Sequence, residues 1–228
     1  MEQLSIIEIE KIKEGISTIS VDELTNTDKR FSVVSLFSGC GGMDLGFKGG
    51  FSVFGKEYEE NPYEIIFAND IVEEACITYK HNLGHEVICQ DIREINLEQI
   101  PKSDIVIGGF PCQDFSLAGK RKGLSTERGR LYQEMKKVIT HCQPLAFVAE
   151  NVDGIRRNKY GKDTSALDII MKELQEIGYR VIYKVLNAAD YGIPQNRIRI
   201  IIIGIRSNLN KTILYPKRVR GDFTGVPW

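Results

Sequence analysis

The chain has 228 residues, 42% of them hydrophobic and 27% charged, with a formal net charge of −1. That is enough for one sizeable core, no apolar run approaches membrane length, and the near-neutral charge excludes a globally basic nucleic-acid binder, leaving a local basic patch or a partner for any such contact. Five cysteines without paired spacing suit a reducing compartment rather than a disulfide framework, and acidic residues among the first isoleucines do not fit a secretory signal, so a cytoplasmic protein is expected.

Residues 1–30 read as a leader. Ile9, Ile12 and Ile16 fall at helical spacing amid Glu and Lys, as in an amphipathic helix that either packs on its own domain or docks another subunit. The strand Phe31–Phe37 then runs into Ser38-Gly-Cys-Gly-Gly42, a glycine-rich turn that lets backbone approach a cofactor and opens a helix towards it. Its spacing departs from the dinucleotide pattern G-x-G-x-x-G, which argues against a nicotinamide dehydrogenase. Lys56 to Glu64 reads as an exposed polar loop or insertion.

A second strand, Ile65–Ala68, ends in Asn69-Asp70 and is followed by a helix to Leu83. An acid at that place suits the hydroxyls of a ribose, or caps the helix. His81 and His85 are separated by a helix-ending Gly84 with no cysteine pair nearby, so solvated histidines are expected rather than a zinc site. Glu86–Cys89 forms a third strand leading to Asp91-Ile92. The apolar run from Asp104 breaks at Gly108-Gly109 and Pro111, placing Cys112 where a parallel strand yields to a loop. Lys120-Arg-Lys122, Arg128 and Arg130 follow. A thiol near positive charge ionises more readily, and the thiolate is the reactive form; the alternative is a small buried cysteine.

A helix from Gly129 to His141, a strand Leu145–Ala149 ending in Glu150-Asn-Val152, and a helix from about Ser165 to Ile177 come next. Two last strands, Arg180–Val185 and Ile198–Ile205, flank Asn187–Arg199; their connection is too short for a helical crossover, so they should be antiparallel. The alternation of strands and helices predicts a doubly wound α/β fold with a mostly parallel sheet and an antiparallel final strand. The carboxyl ends of parallel strands share one edge, which would gather Gly39, Asp70, Asp91, Cys112 and Glu150, with Arg197 and Arg199 arriving on the antiparallel strand.

The segments Phe37-Ser-Gly-Cys-Gly-Gly42, Gly109-Phe-Pro-Cys-Gln-Asp-Phe-Ser116, Glu150-Asn-Val152 and Gln195-Asn-Arg-Ile-Arg199 resemble, in order and spacing, the motifs of DNA (cytosine-5)-methyltransferases. The resemblance covers about Phe31 to Arg206 and implies a Rossmann-like fold of the S-adenosylmethionine-dependent class. It implies that Phe37, Ser38, Gly39, Gly41, Gly42 and Pro111 line S-adenosylmethionine, with Asp70 on the ribose, Asp91 and Ile92 by the adenine, and Ile71 where the family often has an aromatic residue. It further implies that Cys112 attacks C6 of a flipped cytosine, that Glu150 contacts N3 and N4, that Arg199 orients the base or Glu150, and that Arg197 has a structural or phosphate role. Gln113, Ser116, Lys120, Lys122 and Arg128 would contact double-stranded DNA. No metal and no membrane enter this reading.

Complete family members continue past Gln-x-Arg-x-Arg into a target-recognition domain and a last motif that returns to the cofactor. The 22 residues from Ser207 to Trp228 resemble only the start of the linker to it. The expectation is the catalytic chain of a split enzyme of a restriction–modification system, whose second subunit supplies recognition, or else a truncated or degenerate form. An RNA cytosine methyltransferase and a non-catalytic regulatory protein are the alternatives.

Overall fold

A computed structural model describes residues 30–53, 55–111, 129–157, 159–160 and 164–218. By its contacts the chain divides between Arg30 and Phe31, and the fold below begins at Phe31. The expected helix around Ile9, Ile12 and Ile16, and the residues Cys112, Gln113, Ser116, Lys120, Lys122 and Arg128 with the roles expected of them, lie outside the described residues.

In chain order the elements are β1 (Phe31–Leu36), α1 (Gly42–Lys48), β2 (Gly49–Val53), β3 (Lys56–Glu60), β4 (Tyr63–Asp70), α2 (Glu73–Leu83), β5 (Ile88–Cys89), β6 (Ile105–Gly108), α3 (Gly129–Cys142), β7 (Ala146–Val152), α4 (Gly154–Arg157), β8 (Lys159–Tyr160), β9 (Thr164–Ser165), α5 (Ala166–Glu176), β10 (Tyr179–Asn187) and β11 (Ile198–Arg206). A seven-stranded sheet runs β10-β11-β7-β6-β1-β4-β5. From β7 to β5 every neighbouring pair is parallel, while β11 lies antiparallel between β7 and β10. The predicted mixed sheet, antiparallel at its end, is the observed one.

Strand β1 shows why the sheet is two-sided. Val33, Val34, Ser35 and Leu36 are all buried, as a central parallel strand with covered faces requires. Val34 and Leu36 join one core with Tyr132, Met135, Ile139, Ile170 and Leu174 from α3 and α5. Val33 joins the other, with Tyr79 of α2, against which Met43, Phe47 and Leu83 pack. Helix α5 starts with a reciprocal cap: Ser165 Oγ accepts from the Asp168 N–H, and the Asp168 carboxylate accepts from the Ser165 N–H. This satisfies otherwise orphaned donors, and it is why the helix begins where the Ser-x-x-Asp spacing places it.

Two stretches differ from the sequence reading. Lys56–Glu64 is not a loop: β2 and β3 form an antiparallel hairpin whose Phe51 and Tyr58 rings stack at 4.8 Å. All of β3 is exposed, so the polar composition reflects a solvated ribbon, held by a cross-strand aromatic pair. The third strand is only Ile88–Cys89, because it is the sheet's edge and pairs with β4 at Asn69 and Asp70 alone.

Beyond β11 the chain turns back over the last two strands. Arg180 donates to the carbonyls of Leu209 and Lys211, each at 2.6 Å. Tyr215 donates its hydroxyl to Ile201 O at 2.8 Å, and Arg218 pairs with Asp190 at 3.2 Å. Ile182, Tyr183 and Leu214 remain exposed there.

Candidate active site at the carboxyl edge of the sheet

The turn after β1 is built on unusual backbone. Phe37, Gly39 and Gly41 have φ of 54°, 53° and 86°, a left-handed conformation that costs a side-chain-bearing residue such as Phe37 free energy and is concentrated at ligand sites. Gly41 is dictated twice over, by its positive φ and because a Cβ there would stand 2.1 Å from Leu83 Cδ1.

Asp70, at the end of β4, accepts from the Gly39 N–H at 2.7 Å and the Val72 N–H at 2.9 Å. One carboxylate thus holds both the glycine turn and the residue that leads into α2; the N-cap of α2 is Val72, with no side-chain capping bond, so Asp70 is not the helix cap. Behind the turn, Ser35 Oγ and the Tyr79 hydroxyl donate to the two oxygens of Asp44 at 3.0 and 2.8 Å. Asp44 is fully buried; burial pushes its carboxyl above the usual range, against the opposing effect of the two hydroxyl bonds. Next along the edge, Asp91 is gripped by its neighbour: Arg93 Nε lies 2.9 Å from Oδ1 and a terminal nitrogen 2.5 Å from Oδ2. These bonds hold the Asp91 pKa low. Ile71 is 63% exposed, whereas Ile92 is buried in the main core.

Strands β6 and β7 complete the edge. A Cβ on Gly108 would stand 2.8 Å from Leu36 O, so only glycine lets β1 and β6 approach this closely. Glu150 projects from β7, and Arg199 Nε donates to its Oε1 at 2.8 Å. Arg197 reaches the same oxygen at 3.7 Å. Oε2 faces Gly109, where an added Cβ would lie 3.4 Å away. Asn151, on the opposite face of β7, is buried and donates Nδ2 to Phe110 O at 2.9 Å, fixing the backbone two residues before Cys112. Pro111 is partly buried beside it.

A cleft of about 410 Å³ runs through this edge, lined by Phe37, Ser38, Gly42 and Asp44 at one end and Gly109, Glu150 and Arg197 at the other. The structure therefore brings together the glycine turn, Asp70, Glu150, Arg197 and Arg199 of the residues singled out in the sequence. Asn151, Asp44 and Tyr79 carry no role in the sequence reading. Asn151 sits inside a quoted motif, and the alternation of β7 points it away from the face of Glu150, which was the available signal; nothing in the sequence pairs Asp44 with Tyr79.

Residues 31–222 match the family model described as C-5 cytosine-specific DNA methylase. The chain belongs to that family. It is 43% identical over 178 residues to the Type II methyltransferase M.FnuDI of Fusobacterium nucleatum, covering 78% of this chain and 48% of that protein. It is 36% identical to M.NgoFVII of Neisseria gonorrhoeae, over 89% of this chain and 51% of the relative. The chain thus spans about half the length of the curated relatives it matches. The S. pombe Dnmt2 methyltransferase superposes with a TM-score of 0.61 at 23% identity, over 81% of this chain and 52% of that one, a likeness of fold. Among the described residues no helix is long and apolar enough to cross a membrane, and no group of three or more metal-ligating side chains is assembled.

Proposed function

We propose that this chain is the catalytic part of a DNA cytosine-5 methyltransferase, using S-adenosylmethionine and a covalent adduct between Cys112 and C6 of an everted cytosine. The observation that carries the reading is the Glu150–Arg199 pair at 2.8 Å, facing Gly109 three residues before Cys112.

The residues present fit the cofactor. A left-handed turn with exposed backbone borders a cleft of suitable size, and when bound the cofactor supplies an electrophilic methyl group. Asp70 holds the turn in shape through Gly39; a carboxylate has about four acceptor positions, so it can take ribose hydroxyls as well. Asp91, kept ionised by Arg93, is an acceptor for the adenine amine, and exposed Ile71 offers it an apolar wall.

Towards the base, the Cys112 thiolate forms a bond to C6 and pushes the C5=C6 electron pair onto C5, which makes C5 nucleophilic. Glu150 accepts from the N4 amino group and delivers a proton to N3, which offsets the negative charge that develops there, while Arg199 holds Oε1 and so fixes the carboxyl plane. After C5 accepts the methyl group, its proton passes to a solvent base and the sulfur–C6 bond breaks, returning the thiolate. Extruding the cytosine from the duplex costs a few kcal/mol, met by contacts of Gln113, Ser116, Lys120, Lys122 and Arg128 with the DNA. Target recognition is supplied by polypeptide outside these residues, since relatives carry about as much chain again. Such a protein works in the cytoplasm, within a restriction–modification system.

The test is transfer of labelled methyl from S-adenosylmethionine to duplex DNA and to tRNA by this chain together with its recognition partner. Label in duplex DNA as 5-methylcytosine is expected; label confined to tRNA, or none in either, contradicts the reading.

A further inference from the structure

Two thiols outside the proposed reaction flank the corner that holds the cofactor turn. Cys76 lies in the first part of α2 and is 6% exposed; its Sγ approaches Asp70 O at 3.7 Å. Cys89 ends β5, is exposed, and its Sγ approaches Ile71 O at 4.0 Å. The two sulfurs therefore sit over consecutive carbonyls of one corner, near enough that Cys89 is among the causes raising the Cys76 thiol. Asp70 and Cys89 are register partners in the β4–β5 ladder, so this corner is also where the sheet's edge strand joins the fold. The same Asp70 carries the clamp on the Gly39 N–H at 2.7 Å.

We infer that Cys76 and Cys89 form a dithiol that low-molecular-weight disulfides oxidise, and that its oxidation weakens cofactor binding by displacing Asp70 from the glycine turn. The coupling rests on the cofactor reading above. In the first step the exposed Cys89 thiolate attacks one sulfur of the small disulfide, and one thiolate leaves. In the second, Cys76 attacks the Cys89 sulfur of the mixed disulfide, and the other thiolate leaves. Two protein thiols become one disulfide, the small disulfide becomes two thiols, and the two protons pass to the leaving groups. Burial and the neighbouring Cys89 push the Cys76 thiol up to about 12, so little of it is thiolate at neutral pH and the second step is the slower one. A disulfide needs a specific geometry. Closing it removes both sulfur contacts with the Asp70 and Ile71 carbonyls and ties β5 to α2 across the corner that presents Asp70.

The chain is equilibrated with mixtures of reduced and oxidised glutathione, free thiols are alkylated, and the protein is cut with trypsin, which cleaves after Lys80 between the two cysteines. The expected result is a disulfide-linked peptide pair bearing Cys76 and Cys89. S-adenosylmethionine affinity, titrated calorimetrically, should then fall roughly tenfold, about the worth of one charged hydrogen bond, and recover on reduction with dithiothreitol. Cys89→Ser, an exposed change that leaves the core intact, should form no linked pair and bind the cofactor alike in both redox states; this also separates the effect from oxidation of Cys40 or Cys112. A map showing no linked pair, or only a glutathione adduct on Cys89, overturns the dithiol. A linked pair with unchanged affinity overturns the coupling. If the reduced chain binds no S-adenosylmethionine, the cofactor reading fails and the coupling with it, while the peptide map still decides whether the dithiol forms.

Discussion

Arg199 and Glu150 meet diagonally across the β7–β11 ladder. Glu150 stands opposite Ile201 and Arg199 opposite Val152, so the two side chains share one face of the sheet and close to 2.8 Å. Only an antiparallel β11 begins at the edge where β7 ends, and a parallel strand would carry its first residues to the other side of the molecule. The reversal at the end of the sheet is therefore what delivers a guanidinium to the Glu150 carboxyl, the group proposed to contact the base.

Removing that guanidinium should impair chemistry more than folding. Arg199→Ala is expected to lower methyl transfer by about 10²-fold or more, with little change in thermal unfolding because the pair is partly solvated. Arg197→Ala, whose guanidinium stands 3.7 Å from the carboxylate and is half-exposed, should cost less. Single-turnover rates on duplex DNA check both; equal losses would mean that distance to Glu150 does not set the role.

Asn151 makes the opposite prediction. Its side chain is buried and its Nδ2 satisfies Phe110 O. Asn151→Ala leaves that carbonyl without its donor, a loss of about 1–3 kcal/mol, readable in urea unfolding, together with loss of activity because the Phe110 backbone, two residues before Cys112 in the chain, is no longer held. A variant with wild-type stability would show that the bond contributes little.

Burial raises the Asp44 carboxyl above its ordinary 3.8. An acid whose folded pKa is raised stabilises the fold below the unfolded value and loses that contribution as pH rises through the folded one. Asp44→Asn removes the ionisation, and the Ser35 and Tyr79 hydroxyls can turn to accept from the new amide. The variant should gain stability relative to the parent as pH increases from the carboxylate range towards neutrality. Urea midpoints across that range test this; a gap that widens instead towards acid would refute it.

Gly41→Ala meets two penalties, a left-handed backbone and Leu83 Cδ1 at 2.1 Å. Strain of this kind costs on the order of 1–3 kcal/mol, and the Leu83 and Tyr79 side chains must move to relieve the overlap. Lower stability and weaker S-adenosylmethionine binding are expected together. Unchanged calorimetric affinity would separate the turn from the cofactor.

The parallel sheet was legible because its strands are short apolar runs ending in glycine, acid or cysteine, and the antiparallel β10–β11 pair because the intervening loop is too short for a helix. The glycine turn, Asp70, Glu150 and the two arginines were legible because strand ends in such a sheet share an edge. The β2–β3 hairpin was not, since a ribbon solvated on all sides has no hydrophobic alternation, and Phe51 and Tyr58 gain meaning only once paired. Asp44 and Tyr79 were invisible for a related reason: they are distant in sequence, and their bond depends on how α2 packs under the turn. The Cys76–Cys89 neighbourhood likewise follows from the β4–β5 register rather than from any cysteine spacing.

The central claim, that a sulfur, an acid and a guanidinium act on one cytosine ring at this edge, has a direct test. Duplex DNA carrying 5-fluorocytosine at the target position, with S-adenosylmethionine, should trap the chain and its recognition partner, because C5 holds fluorine in place of the proton that must leave before the sulfur is released. The account predicts a tryptic peptide bearing a methylated fluoropyrimidine on Cys112, lost in Cys112→Ser and strongly reduced in Arg199→Ala. Methylation of ordinary DNA by Cys112→Ser at the parental rate, or an adduct on another residue, would contradict it.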